Sequence, residues 1–440
     1  MSDDPPLPPE TGPTAPEAAR HPSKPVSTNA APPPADAVLL PSEIEPSRPE
    51  ITQPREEAVP PPPQPASSRP PLTAIPSDIR SLADYERHAQ AHMAPAAWAY
   101  LQEGTGDDLT VATNRAAFDR IDLLPRVLRD LRHGTTQVEL LGRHHAAPLL
   151  LAPVAYQRIA HPEGELATVR AATAMGIGMA VSTLASVTLE EIAAARHAAA
   201  AELVTPPAPL WFQLYLQPER EASLALVRRA EAAGYEALLL TVDASIKHSG
   251  FALPPGVEAA NLRAPRPTQT AQPLGRILFG TPLLDAAPRW EDLAWLRAQT
   301  RLPLLIKGIM APDDALRALD HGADALILSN HGGRVLDGMP APLAMLPAVA
   351  QAVAGRAPLL LDSGIRRGTD IAKALALGAA AVLVGRPQVH ALAVAGMAGV
   401  AHALLILRTE LELAMAQLGC ATIADLTPDR LLTAPAPVEG

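Results

Sequence analysis

Eight short apolar runs recur along the chain, at Pro148–Ala152, Gly178–Val181, Leu210–Leu214, Ala237–Val242, Leu302–Ile306, Ala325–Leu328, Pro358–Leu361 and Ala380–Val384. Each is apolar at nearly every position and too short for a core helix, which marks a strand buried on both faces. Between them lie segments with helical spacing and alanine-rich, charged faces, such as Glu163–Met175, Glu219–Ala233, Pro312–His321 and Thr369–Leu377. Parallel strands need crossovers of this kind, so eight strand–helix repeats predict an α/β fold, a (β/α)8 TIM barrel. An open doubly wound sheet is the alternative.

Polar residues fall where a barrel would use them, because active sites gather at the carboxyl ends of barrel strands. The third run leads into Gln213 and Tyr215, the fourth into Thr241 and Asp243, the fifth into Lys307 and the sixth into Ser329 and His331. The seventh leads into Asp362 and the eighth into Gly385-Arg386. The sixth is the most telling, since Ala325–Leu328 opens directly onto Ser329-Asn330-His331-Gly332-Gly333-Arg334-Val335-Leu336-Asp337-Gly338. Glycines 332 and 333 allow a sharp turn beside a flat ligand, His331 can accept a proton, and Arg334 can grip a carboxylate with two hydrogen bonds.

Composition divides the chain. Of its 440 residues 49 are proline, many of them crowded between Met1 and about Ser77, where apolar periodicity is too sparse to offset the entropy of ordering. Residues 1–77 are therefore expected to be a disordered proline-rich arm, with an extended recognition segment as the functional alternative. Residues 78–440 read as one domain. A net charge of −10 without a dense Lys/Arg block argues against nucleic acid as a partner, and the chain is expected to hold no eighteen-residue uncharged apolar run that could span a bilayer. The start Met-Ser-Asp-Asp-Pro lacks the parts of a secretory signal, and one cysteine cannot make an internal disulfide. A soluble, cytoplasmic enzyme is expected, with Cys420 a packed side chain in a C-terminal helical stretch.

Two glycine- and arginine-bearing turns, Asp362-Ser363-Gly364-Ile365-Arg366-Arg367-Gly368-Thr369-Asp370 and Gly385-Arg386-Pro387, each enter a helix. Backbone N–H groups at a helix start beside an arginine favour a dianion, and the last two strands of such barrels commonly hold phosphate. Neither a Walker lysine nor a Gly-x-Gly-x-x-Gly after a first strand is present, so a mononucleotide fits better than ATP or NAD. No residues are grouped as metal ligands, and His144 and His145 are expected to be solvated loop residues.

Three segments, Ser329 to Arg334, Leu361 to Asp370 and Ala160-His161-Pro162-Glu163-Gly164-Glu165, resemble the FMN-dependent L-2-hydroxy acid oxidase and dehydrogenase family, which includes glycolate and lactate oxidases. The likeness runs from about Asp84 to Thr427, through Gly104 to Asn114, Pro125 to Leu128, Trp211 to Tyr215 and Leu240 to Asp243. It implies FMN as cofactor, with Pro153, Val154, Ala155, Ser182, Gln213, Thr241 and Ser329 around the isoalloxazine. Asp362, Ser363, Gly364, Ile365, Arg366, Gly385 and Arg386 would hold ribityl and phosphate, and Lys307 would lie near N1. It further implies His331 as base, oriented by Asp243, with Tyr215, Tyr100 and Arg334 on the substrate. The electron acceptor would be oxygen or a respiratory component, and the assembly a homo-oligomer, commonly a tetramer.

One departure stands out. Where the family continues through a Gly-x-Arg stretch that supplies a second carboxylate clamp, this chain reads Asp243-Ala244-Ser245-Ile246-Lys247-His248-Ser249-Gly250-Phe251. Losing a charged hydrogen bond weakens carboxylate binding by roughly 1.5 to 3 kcal/mol unless Lys247 or His248 replaces it. An altered or larger substrate is one expectation, down to a hydroxy or amino acid unit of a modified peptide or natural product, and a non-catalytic flavin scaffold is the reading from another class. The stretch from Pro255 to Pro288, with Arg263, Arg266 and Arg276, is expected to cover the mouth as a lid.

Overall fold

A computed structural model describes residues 68–244, 251–262, 279, 284 and 287–433. Lys247, His248, Arg263, Arg266, Arg276 and the first 67 residues of the expected arm lie outside these.

All eight apolar runs become strands, and they close into a parallel barrel in chain order: β1 (Leu149–Leu151), β2 (Gly178–Ser182), β3 (Leu210–Leu214), β4 (Ala237–Thr241), β5 (Leu304–Ile309), β6 (Ala325–Leu328), β7 (Leu359–Leu361) and β8 (Ala381–Val384). The open-sheet alternative is excluded, since β8 pairs with β1 through Val382–Leu149 and its neighbours. Side-chain alternation explains why the strands are apolar throughout. Leu150, Ala180, Trp211, Leu239, Leu305, Ile327, Leu360 and Leu383 fill the barrel, while Leu149, Val181, Phe212, Leu238, Leu304, Leu326, Leu361 and Val382 pack outward in the cluster formed with the helices.

Three helices precede the barrel, α1 (Leu82–His92), α2 (Pro95–Gln102) and α3 (Leu109–Asp119). The outer helices among the described residues are α4 (Glu165–Met175), α5 (Leu189–Glu202), α6 (Arg220–Ala232), α7 (Trp290–Gln299), α8 (Pro312–Asp320), α9 (Pro342–Val353), α10 (Gly368–Ala376) and α11 (Arg386–Gln417). The chain is attached before Asp78: Arg69 N–H donates to the Ala91 carbonyl at 2.9 Å and Leu72 N–H to that of Val394 at 2.7 Å.

Three expectations are corrected. Residues 387–407 do form an uncharged run long enough to cross a membrane, but α11 breaks at Ala395 and Gly396 (φ 54°) and packs against α1, α4 and α10, so its apolar length serves the core. Cys420 lies in the turn three residues after α11 rather than in a helix; it is buried, with its thiol directed at the Asp425 carbonyl at 3.2 Å. His145 is not solvated. It sits in a hairpin of Val138–Leu140 with Arg143–His145, 2% exposed, its ring 6.1 Å edge-on from Trp211 inside the barrel; its neighbour His144 is exposed, because successive strand residues face opposite ways.

Neither His145 ring nitrogen has a hydrogen-bond partner, and burial, with help from Arg143 and His144, pushes its pKa down to about 4. The native state therefore stays unprotonated where an unfolded histidine, near ~6.5, takes up a proton. Stability is expected to decline as pH falls from about 6.5 to about 4, by up to ~3 kcal/mol from this residue. Urea unfolding at pH 7 and pH 4.5 checks this, the loss being smaller in His145→Phe than in the parent.

Candidate active site

The alternation that fills the barrel also builds the site. One interior position beyond the apolar layers, the strands place Ser182, Gln213, Thr241, Lys307, Ser329 and Asp362, and all six are buried. A polar layer under the barrel mouth thus follows from one shared phase of a two-residue repeat.

Lys307 sits at its centre. Its Nζ donates to Ser329 Oγ at 2.8 Å and pairs with the Asp362 carboxylate at 3.0 Å. Burial opposes its charge, but Asp362 and Asp243 outweigh that and raise its pKa, so the ammonium persists. Just past Lys307 the β5–β6 register shifts, and Gly308 takes φ 112°. A Cβ there would stand 2.6 Å from the Asp243 Cβ, so this bulge makes the space Asp243 occupies. Gly308→Ala is expected to push Asp243 aside and slow flavin reduction by about 10²-fold, read by stopped-flow absorbance.

Asp243 Oδ1 lies 3.0 Å from His331 Nδ1, and its carboxyl is buried. Burial alone would raise the Asp243 pKa, yet His331 and Lys307 beside it more than offset that and hold the carboxyl below its ordinary range. An ionised Asp243 fixes the proton on Nδ1, which leaves Nε2 as the basic nitrogen. The loop that carries the imidazole is tightly set: His331, Gly332 and Gly333 have φ of 57°, 69° and 79°. Ser329 Oγ accepts from His331 N–H at 3.0 Å, and Ser363 Oγ from Gly332 N–H at 3.0 Å. A left-handed histidine costs free energy, so surrounding contacts must enforce it.

Tyr100 and Arg334 meet at the end of α2. The guanidinium lies 5.1 Å over the Tyr100 ring, and its Nη1 donates to the carbonyls of Tyr100, Leu101 and Glu103. Phe251 stacks on the Tyr100 ring at 4.4 Å. Tyr215 follows β3, with its N–H donating to Thr183 Oγ1 at 3.0 Å.

The expected cradle also assembles. Arg386 donates to the carbonyls of Gly332, Leu101 and Glu103, and Arg366 to that of Ile365. Burial, then the nearby charges of Arg334 and Arg366, press the Arg386 pKa down to about 9. Gly364 (φ 88°) and Ser363 (φ 74°) turn the chain here, and Gly385 precedes the start of α11. Pro153, Val154 and Ala155 leave β1 half-buried, held on one side by Gln388 Nε2 donating to the Ala152 carbonyl at 2.8 Å.

These residues fit FMN. Gln213 turns its Oε1 to the Ser182 hydroxyl and Thr183 N–H, and its buried Nε2 has no partner; nor has Thr241 Oγ1. Such orphaned groups suit the polar edge of an isoalloxazine, and the arginine pair suits a phosphate dianion. Asp362, which the resemblance assigns to the ribityl chain, here forms the ion pair with Lys307.

Other residues of the site escaped sequence reading. Asn114 and Asn330 form a reciprocal amide pair at 2.9 and 2.7 Å, and Arg115 binds Asp370 through both terminal nitrogens. Their partners are more than 200 residues away, so no local pattern announces them.

A family model for FMN-dependent dehydrogenases matches residues 89–433. An L-lactate oxidase of Alicycliphilus denitrificans is 53% identical over 371 residues, which cover 82% of this chain and 98% of that protein. A 4-hydroxymandelate oxidase of Amycolatopsis orientalis is 44% identical, covering 78% of this chain and 95% of its own. A crystal structure of mandelate oxidase with (S)-4-hydroxymandelic acid superposes with a TM-score of 0.71 at 42% identity, covering 80% of this chain and 98% of that one. With the barrel, the polar layer and the arginine cradle in place, and matches that span nearly the whole barrel domain, the chain belongs to the FMN-dependent dehydrogenase family.

Proposed function

We propose that this protein oxidises an L-2-hydroxy acid, lactate- or glycolate-like or larger, to the 2-oxo acid, and that oxygen takes the electrons to give hydrogen peroxide. One observation carries the reading: His331 Nδ1 is 3.0 Å from a buried, ionised Asp243 on the same barrel mouth as Lys307 and Arg334. Bound FMN supplies a two-electron acceptor. His331 Nε2 takes a proton from the substrate, and Asp243 stabilises the imidazolium that results. Arg334, its Nη1 anchored on three carbonyls, offers its other edge to the carboxylate. Tyr215 bonds the hydroxyl or carboxylate, and the Tyr100–Phe251 stack gives that side an aromatic wall. Lys307 lies where a cation favours negative charge on the reduced ring.

Oxygen as acceptor is supported by relatives described as oxidases, among them a 2-hydroxyacid oxidase of Homo sapiens at 40% identity. A homo-oligomer is supported by exposed apolar side chains at Val127 and Leu128, 78% and 101% exposed. Work in a reducing, cytoplasmic setting accords with the one buried thiol. The test is anaerobic mixing of FMN-loaded protein with L-lactate, glycolate, (S)-mandelate and longer 2-hydroxy acids. Loss of the flavin band, and peroxide on admitting air, is expected. A flavin that stays oxidised with every acid would refute the reading.

A further inference from the structure

Two neighbouring residues of α3 hold the two functional loops of the mouth. Asn114 is 2% exposed and Asn330 fully buried, and their side-chain amides exchange both hydrogen bonds. Asn330 stands between Ser329 and His331 and also accepts from Gly333 N–H at 3.2 Å, so the pair sets the turn that presents the imidazole. The next residue, Arg115, points to the other loop. Its Nη1 donates to the Gly364 carbonyl at 2.7 Å and to Asp370 Oδ2, its Nη2 to Asp370 Oδ1 at 2.8 Å. Asp370 is fully buried and accepts from the N–H groups of Arg366 and Arg367 at 2.9 and 3.0 Å, which shapes the cradle turn.

The helix has no slack between them. A Cβ on Gly364 would lie 2.4 Å from the Asn114 carbonyl oxygen, and one on Gly333 would lie 2.8 Å from the Val111 nitrogen. The start of α3 has no cap from its own Asp108; instead Asp337, from the His331 loop, accepts from Asp107 and Thr110 N–H, each at 2.8 Å. One short helix is therefore packed against both loops and bonded to one by a buried amide pair and to the other by the half-buried Arg115, and a shift of either loop moves the other.

We propose that Asn114 and Arg115 are positioning residues that couple anion binding in the phosphate cradle to the setting of His331. The proposal rests on the function inferred above, for which it names a device: the phosphate of FMN, remote from the reacting atoms, orders the base through Arg115, α3 and Asn114. Binding energy at a distant group is then used to hold a strained catalytic loop.

The experiment compares full-length protein saturated with FMN or with riboflavin, which has the same ring and no phosphate. Amide hydrogen exchange of the segment 329–339 is expected to be about tenfold slower with FMN than with riboflavin, and in Arg115→Gln this difference is expected to fall within about twofold while both flavins still bind. Equal exchange with the two flavins in the parent, or an undiminished difference in Arg115→Gln, overturns the coupling. Arg115→Lys serves the same comparison should the glutamine variant not fold. At the other end, Asn114→Ser is expected to slow flavin reduction about tenfold at unchanged KM, with FMN affinity by fluorescence within about twofold of the parent. A reduction rate equal to the parent's overturns the link to His331. Exchange needs flavin binding alone, so failure of every 2-hydroxy acid to react would defeat the function while exchange still decides the coupling.

Discussion

His331→Gln is expected to bind FMN as the parent does and to lose ~10²- to 10⁴-fold in the rate of flavin reduction, the contribution typical of a positioned base. Glutamine keeps a polar side chain of similar reach but cannot take a proton from the substrate. It also leaves Asp243 without its Nδ1–H partner, and that carboxylate is buried, so some loss of stability accompanies the loss of rate. Stopped-flow reduction under anaerobic conditions, beside a fluorescence titration of FMN, separates the two effects. Unchanged reduction in His331→Gln would remove the base from this residue.

Lys307→Met should cost stability as well as rate. The ammonium is 4% exposed and neutralises Asp362 at 3.0 Å while its charge also lowers the Asp243 pKa. Removing it takes the ion-pair partner from the buried Asp362 carboxylate, a loss of about 3–5 kcal/mol, and withdraws a preorganised cation worth about 10²- to 10³-fold in reduction rate. The pH dependence should weaken. In the parent, the depressed Asp243 pKa contributes stability that is present above the ordinary carboxylate range and fades as pH falls through the lowered value. In Lys307→Met only His331 is left to offset burial, so that pKa should rise and the variant should lose less of its remaining stability to acid than the parent does. Urea titrations of both proteins at pH 6 and pH 3 test this, and parallel losses in the two would contradict the assigned ion pair.

The barrel was legible because its determinants are local and repeated. An all-apolar run of four to six residues with a helical crossover has few other uses, and eight of them leave one closed arrangement. The polar ends were legible too, since the same two-residue phase that buries Leu239 and Ile327 delivers Thr241 and Ser329 one step further on. The expectation of no long uncharged apolar run and the reading of His145 failed for a common reason. Composition cannot say whether an apolar helix such as α11, or an imidazole such as that of His145, lies inside a core. Arg334 shows the same limit more finely: its place beside His331 was readable, but not that three carbonyls at the end of α2 would anchor its Nη1.

The chain on its own determined the strand count and which polar and charged residues stand at the carboxyl ends of the strands, because hydrophobic period and residue type act within a few positions. Only the tertiary structure decided which of those groups touch. Asn114 with Asn330, Arg115 with Asp370 and Asp243 with His331 are paired across 88 to 255 residues. Contacts at that separation come from barrel closure and the packing of α3, and no local propensity encodes them.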